Sequence, residues 1–386
     1  MEESFFYLGT WFPRTSLHLK EFYNFLTKKE GLAGLDKSKI ETLWNNLNFK
    51  KAQLHLEPEI DFLEVNFGDI ELKITEDGII TMSNKIHDFK KSRQISEQFY
   101  TQKLAPAISY LFSVEAQLPK LIESAENIYP VFFITGNMPH EKIKELFDSF
   151  NEKIISHSKS PYIEIYYGEN FNTVNIISQM IKRDIAEQFL QSLILFKEFE
   201  DQLNRYLNLH RKIWDKVSKI RNAKNIRYKE FQLIRNQLRE IEEETYHIDI
   251  RLEQMGDILT ARNELTSQFL KQRMTEIGIN RFITLKAEQR YISNLWKMTS
   301  NYVDDTFEIL NTLYEENTHK ELNAIKLATF MTVLTGFFGM NIGFPWEERW
   351  KEIYPSSIKV SLFVIFFSVV IYLVLRLFFS NRKFKM

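Results

Sequence analysis

Cysteine is absent from the 386 residues of the chain. Disulfide bonds and thiolate metal sites are therefore excluded, whereas the cellular compartment stays open. Net charge is also nearly absent, because 50 Lys and Arg stand against 51 Asp and Glu. Such a balance lacks the basic field that indicates a nucleic-acid partner. The length suits two or three domains.

Proline is missing from the whole stretch between Tyr162 and Phe344, and glycine occurs there only at 168, 256, 278, 336, 339 and 343. Residues that break helices are thus scarce, so long helices are expected over 171–283. Gly256 and Gly278 are the candidate breaks between them.

Signatures of catalysis are lacking as well. The sequence shows no phosphate loop, nucleophile elbow or paired catalytic carboxylates, and its eight histidines include no i, i+4 pair. We therefore expect that the protein is not an enzyme. The N-terminus lacks a basic segment followed by a long apolar one, which predicts a cytoplasmic N-terminal part.

Residues 1–170 hold most of the prolines, which favours short elements in a mixed α/β domain. The alternation of 62–67 predicts a strand, and Glu76-Asp77-Gly78 predicts a hairpin between strands at 70–74 and 79–82. Further strands are predicted at 131–135 and 163–167. Helices are predicted at 88–112 and 140–150.

Three apolar seams with alternating steps of three and four predict packed helices in the second half. One seam comprises Phe231, Ile234, Leu238, Ile241, Thr245, Ile248, Leu252 and Met255. Another comprises Phe189, Leu193, Phe196, Leu203, Tyr206, Ile213, Val217 and Ile220. The last comprises Ile292, Leu295, Thr299, Tyr302, Thr306, Ile309 and Leu313.

The last seam leads without a breaker into an apolar run that stops on Gly339-Met340-Asn341. One helix is therefore predicted over 284–341, roughly 85 Å long. Its part at about 323–341 is long enough to cross a membrane, and the remainder is expected to be a cytoplasmic stalk. A loop at 342–357 and a second apolar run at 358–379 follow, before the tail 380–386. Buried core helices are the alternative to membrane spans.

Charge around the second run predicts the orientation. Arg376, Arg382, Lys383 and Lys385 flank its tail side, whereas the loop 342–357 has mixed charge. The loop is therefore expected outside and both termini in the cytoplasm. This predicts a multi-pass protein of the plasma membrane, of the bacterial inner-membrane type, in contact with lipid.

Two spans cannot enclose a pore, so conduction requires a homo-oligomer. Helical spacing counted back from Asn341 defines one candidate pore-lining face, formed by Thr332, Thr329, Ile325, Leu322 and Thr318. The alternative is that these threonines bond to carbonyls of their own helix. The Asn341 amide oxygen at the negative helix end would attract a hydrated cation.

A Gly-Met-Asn sequence ending the first of two C-terminal spans resembles the signature of the CorA-type magnesium channel superfamily. The resemblance implies a homopentameric funnel that transports Mg²⁺, with Gly339, Met340 and Asn341 as the selectivity filter. The fold it implies is an α+β membrane protein with a cytoplasmic α/β domain, long helices and a stalk continuous with the first span. Phe338 departs from the tyrosine that often precedes the motif, and the usual proline of the first span is missing.

The family is thought to close when cytoplasmic magnesium bridges carboxylates between subunits. On that basis Asp304, Asp305 and Glu308 are candidate metal ligands, with Asp88 as a weaker partner. A solvated helix face is the alternative for these residues. The acidic run at 240–244 also has two interpretations: a solvated face, or an acidic helix tip of the kind the family shows, which would concentrate cations.

Two other functions remain open. A zinc transporter of the ZntB type has the same fold, and cobalt or nickel are further candidate cargoes. His319, near the inner end of the first run, is a weak candidate zinc ligand. A membrane-anchored coiled-coil scaffold that conducts nothing is the alternative from another class.

Overall fold

In this computed structural model the chain is described over residues 4–12, 19–29, 35–57, 60–111, 128–177, 183–223, 226–341 and 383–384. The described chain divides into two compact units. One comprises Met1–Tyr206 with Ile250–Ser293, and the other comprises Leu207–Asp249 with Asn294–Met386. The first contains a large sheet, and both contain segments of long helices.

The sheet of the first unit has nine strands. They are β1 (Phe5–Trp11), β2 (Lys51–His55), β3 (Phe62–Asn66), β4 (Ile70–Thr75), β5 (Ile79–Lys85), β6 (Tyr129–Thr135), β7 (Ser156–Lys159), β8 (Ile163–Tyr167) and β9 (Asn172–Ile176). Their order is β2-β3-β4-β5-β1-β6-β9-β8-β7. The β6–β9 pair is parallel and the other described pairs are antiparallel.

The strand and hairpin predictions for this unit are confirmed. The predicted hairpin is β4–β5, in which Ile74 faces Ile80 across the turn. Gly78 closes that turn with φ +90°, a backbone conformation that glycine adopts without a steric cost. Strands β3, β6 and β8 occupy the other predicted positions.

Short helices accompany the sheet in the same unit. They are α1 (Leu19–Lys28), α2 (Lys37–Leu47), α3 (Phe89–Phe99), α4 (Ala105–Leu111) and α5 (His140–Ser149). A π-helical turn, Tyr100–Leu104, joins α3 to α4, so the predicted helix at 88–112 is nearly continuous. Phe6 and Phe132 of neighbouring strands lie fully buried in the core, with ring centroids 5.0 Å apart.

Four further helices follow the sheet in sequence: α6 (Arg183–Arg221), α7 (Tyr228–Leu265), α8 (Gln268–Glu276) and α9 (Phe282–Asn341). The predicted seam of α7 is confirmed, since its members are buried except for the half-buried Ile234. Gly256 does not break a helix, contrary to prediction. It lies inside α7, where a Cβ would come within 3.1 Å of the Gln289 side chain, so it permits close helix packing.

The predicted seam of α9 is correct at Ile292, Thr299 and Thr306, which are buried. At the positions between them Leu295 and Tyr302 are half-buried, whereas Ile309 is exposed and is therefore a wrong prediction. The residues buried there are Trp296, Val303 and Leu310. The seam had placed Leu295, Tyr302 and Ile309 at those positions, and Ile309 is 36% exposed. The corrected steps of four and three still form one helix face.

Candidate cation pathway along the last helix

Helix α9 carries every predicted filter, pore and regulatory residue except Asp88. It runs for 60 residues without a break and ends at Asn341. Within the second unit its aromatic residues pack on α6 and α7: Tyr302 stacks on Trp214 at 4.6 Å, and Tyr314 stacks on Phe231 at 4.8 Å. Ring stacking of this kind fixes the rotation of the helix about its axis.

Beyond Tyr314 the described side chains of α9 are half-buried or exposed within the single chain. Leu322 is 45% exposed, Ile325 57% and Phe330 60%. An apolar surface of this kind requires lipid or another protein surface to cover it.

The predicted pore-lining face lies on this exposed segment. The hydroxyl groups of Thr318, Thr329 and Thr332 each donate a hydrogen bond, 2.9 Å long, to the carbonyl four residues earlier. The threonines therefore bond to carbonyls of their own helix, which was the alternative to a pore-lining role. A hydroxyl that donates its proton in this way still presents an oxygen acceptor, so the arrangement is compatible with a polar lining.

The predicted filter lies at the end of the same helix. The backbone is helical through Gly339 and up to Asn341, whereas the side chains of Met340 and Asn341 are not described. The loop 342–357 and the second run 358–379 also lie outside the described residues. Over the part of the chain that the structure describes, no helix combines the length and the apolar character needed to cross a bilayer. Both spans stay predictions.

The candidate regulatory carboxylates are exposed. Asp304 and Glu308 line an open groove together with Glu242 of α7, and Asp305 is exposed nearby on α9. Within the described ranges, no group of three or more histidine or acidic side chains is arranged to hold a metal ion. These carboxylates are therefore solvent-exposed in the single chain, and their role between subunits stays a prediction.

Asp88 has a structural role that the sequence did not suggest. It is the N-cap of α3, and its carboxylate accepts a hydrogen bond of 2.7 Å from the Lys91 amide. A capping carboxylate satisfies an otherwise unpaired helix donor.

The basic tail forms a contact that sequence reasoning missed. Strand β11 (Lys383–Phe384) pairs antiparallel with β10 (Ile226–Arg227), in the connection between α6 and α7. Arg227 lies opposite Lys383, and Ile226 lies opposite Phe384. Two-residue strands have no periodicity to detect in a sequence.

A buried carboxylate network in the first unit was also missed. The Tyr129 hydroxyl lies 2.8 Å from Glu198 and 3.1 Å from Asp201, both on α6. Burial raises the pKa of Glu198, against the opposing effect of hydrogen bonds from Tyr129 and Gln202. The tyrosine is distant in sequence from both carboxylates, so only the tertiary fold reveals the network.

The described residues define a mixed α/β protein with a large sheet in one unit and long helices. No protein-family model and no curated protein matches the chain. Among solved structures, the chain is similar to the CorA magnesium transporter from Methanocaldococcus jannaschii, at 10% sequence identity and a TM-score of 0.31. The match covers 64% of this chain and 89% of that chain. So distant a likeness carries no inference about function.

Proposed function

We propose that the protein is a divalent cation transporter of the CorA type, with Mg²⁺ as its cargo. The observation that carries the proposal is the single helix α9, which continues from its buried packing at Trp296 to Asn341. A helix end carries partial negative charge, and an amide oxygen there is a neutral acceptor. In an oligomer, the Asn341 residues of the subunits would form a ring of such oxygens. A ring of this kind suits Mg²⁺, which keeps much of its water shell.

A homopentamer is part of this proposal. Support comes from Phe330, an apolar residue of α9 that is 60% exposed and lies outside the predicted pore-lining set, because contact with another subunit would cover it. One chain with two spans cannot form a conduit, so subunits must assemble around an axis. Mass measurement of the purified protein in detergent tests the assembly, and a dimer would exclude this pore.

The tail contact supports the two-span topology that is part of this proposal. Because β11 pairs with β10, residues 226–227 and 383–384 must lie on the same side of any membrane, so the chain between them crosses it an even number of times. The natural lack of cysteine allows a direct test with Arg227→Cys and Lys383→Cys. We expect an oxidised cross-link and equal labelling by an impermeant thiol reagent, whereas labelling from opposite sides would refute the topology.

Metal flux into liposomes tests the function. We expect wild-type protein to carry Mg²⁺, Asn341→Ala to lose this flux, and Asn301→Ala, an exposed asparagine on the same helix, to retain it. Zinc flux without magnesium flux would favour the zinc-transporting alternative. If neither ion crosses, the scaffold alternative is correct.

Regulation by internal magnesium is proposed for Asp304, Asp305 and Glu308. Their exposure on α9 leaves them accessible to a neighbouring subunit. The double variant Asp304→Ala, Asp305→Ala should stay active at millimolar internal Mg²⁺, whereas Asp249→Ala, on α7, should be inhibited normally. Unchanged inhibition of the double variant would exclude these carboxylates as the sensor.

A further inference from the structure

Two histidines meet on the surface of the sheet unit. His140 begins α5 and His157 lies in β7, and both side chains are exposed. Their ring centroids are 6.1 Å apart. Sequence spacing does not reveal the pair, because the two residues belong to different elements.

The hydrogen bonds of Tyr166 assign the tautomer of His140. The Tyr166 hydroxyl donates its single proton to Glu164, 3.2 Å away. The same oxygen lies 3.2 Å from Nδ1 of His140, so it accepts a hydrogen bond from that nitrogen. His140 is thereby protonated at Nδ1, and the lone pair of Nε2 is available to a ligand.

Further hydrogen bonds hold Glu164, the partner of Tyr166, in place. Asn175 is fully buried and donates to Glu164 at 3.2 Å. It also bonds both the backbone amide and the carbonyl of Met138, each at 3.0 Å, two residues before His140. Lys159 pairs with the other oxygen of Glu164 at 2.6 Å. A rigid shell of this kind orients a metal-binding imidazole.

The ring of His157 is positioned by stacking. It lies 4.3 Å from the ring of Tyr166 at an interplanar angle of 17°. In a stacked ring the two nitrogens point outward along the ring plane, so Tyr166 organises both histidines: one by a hydrogen bond and the other by its face.

We propose that His140 and His157 form a binding site for a borderline transition-metal ion such as Zn²⁺, Co²⁺ or Cu²⁺, with water completing its coordination. Metal–nitrogen bonds of about 2.0–2.1 Å place ring centres about 5–6 Å apart around one ion, close to the distance found here. Imidazole suits these ions, whereas Mg²⁺ prefers oxygen. The site does not depend on the proposed transport of cations.

Copper coordination in the metal-free full-length protein in detergent tests the site. Electron paramagnetic resonance should show hyperfine coupling to two nitrogens in wild type and to one in His157→Ala. The double variant His140→Ala, His157→Ala should lose the nitrogen coupling and leave only the spectrum of hydrated Cu²⁺. His87→Ala, which removes another exposed histidine, should change nothing. An unchanged spectrum in the double variant would overturn the proposal.

The positioning role of Tyr166 has a separate readout. Tyr166→Phe retains the stacking ring but removes the acceptor for His140, so we expect metal affinity to fall by about tenfold to a hundredfold. Competition with a chelator measures this affinity, and excess Mg²⁺ should not displace the ion. Equal affinity in Tyr166→Phe and wild type would remove Tyr166 from the site. If Tyr166→Phe does not fold, the copper experiment with His157→Ala still tests the site, because His157 is exposed and its replacement should not affect folding.

Discussion

Arg262 of α7 clamps Asp77 in the β4–β5 turn, donating hydrogen bonds to both carboxylate oxygens. The two side chains are 13% and 14% exposed. Arg262 also reaches Thr75 at 3.2 Å and Gln191 of α6 at 3.0 Å. One guanidinium therefore ties the predicted hairpin to two long helices within the first unit.

Loss of this clamp should destabilise the unit. Removing one partner of a mostly buried ion pair leaves the other uncompensated, so we expect Arg262→Gln to lower the free energy of unfolding by about 3 kcal/mol. Chemical denaturation measures the change. Arg239→Gln, at an exposed position of α7, is the control and should have little effect. Equal stability of the two variants would show that the clamp contributes nothing.

The same pair predicts sensitivity to acid. Burial alone would raise the pKa of Asp77, but the hydrogen bonds and charge of Arg262 outweigh burial and lower it. A carboxyl group whose pKa is lower in the folded state stabilises the fold at pH values above its unfolded-state pKa of about 3.9. This contribution is lost as pH falls through the folded-state pKa. The stability difference between wild type and Asp77→Asn should therefore be constant from pH 8 to 5 and shrink below about pH 4. A difference that grows in acid would contradict this assignment.

Gly78 and Gly278 offer a matched comparison of turn glycines. Both have positive φ, but a Cβ at Gly78 would lie 1.6 Å from the Phe12 carbonyl oxygen, whereas one at Gly278 would meet nothing within 4 Å. Gly278→Ala should therefore cost only the left-handed backbone penalty of about 1–2 kcal/mol. Gly78→Ala should cost clearly more, as measured by thermal unfolding. Equal losses would mean that the hairpin relaxes away from Phe12.

Sequence patterns predicted the elements whose periodicity is unambiguous. The hairpin around Gly78 and the seam of α7 are examples. The seam of α9 was only partly correct because Leu295 and Trp296, and likewise Ile309 and Leu310, are adjacent apolar residues that fit either register. Strand β1 was missed because it is central and almost wholly buried, so its residues do not alternate.

Sites and contacts that are local in sequence could be predicted, whereas those formed by residues far apart in sequence could not. The Gly339-Met340-Asn341 motif is local in sequence, so inspection finds it. The pairing of His140 with His157 and of Arg262 with Asp77 arises from sheet order and helix packing, for which a single sequence carries no signal.

The corrected register of α9 is testable with adjacent residues. Leu310 is fully buried, and Leu310→Ala should lower stability by about 2–5 kcal/mol. Ile309 is 36% exposed, so Ile309→Ala should cost much less in the isolated chain. Denaturation under conditions that keep the protein monomeric makes the comparison. A larger loss for Ile309→Ala would restore the seam predicted from sequence.

The network of Tyr129 and Glu198 should contribute to stability with a pH dependence opposite to that of Asp77. Because burial raises the pKa of Glu198, its contribution to stability is complete in acid and is lost as pH rises through the folded-state value. Tyr129→Phe removes a hydrogen bond that favours the ionised carboxylate, so it should raise that pKa further. We expect a loss of about 1–3 kcal/mol at pH 8 and a smaller loss at pH 4. Tyr291→Phe, at a 60% exposed position, is the control. A loss for Tyr129→Phe that is greater at pH 4 than at pH 8 would show that Glu198 is not the group responsible.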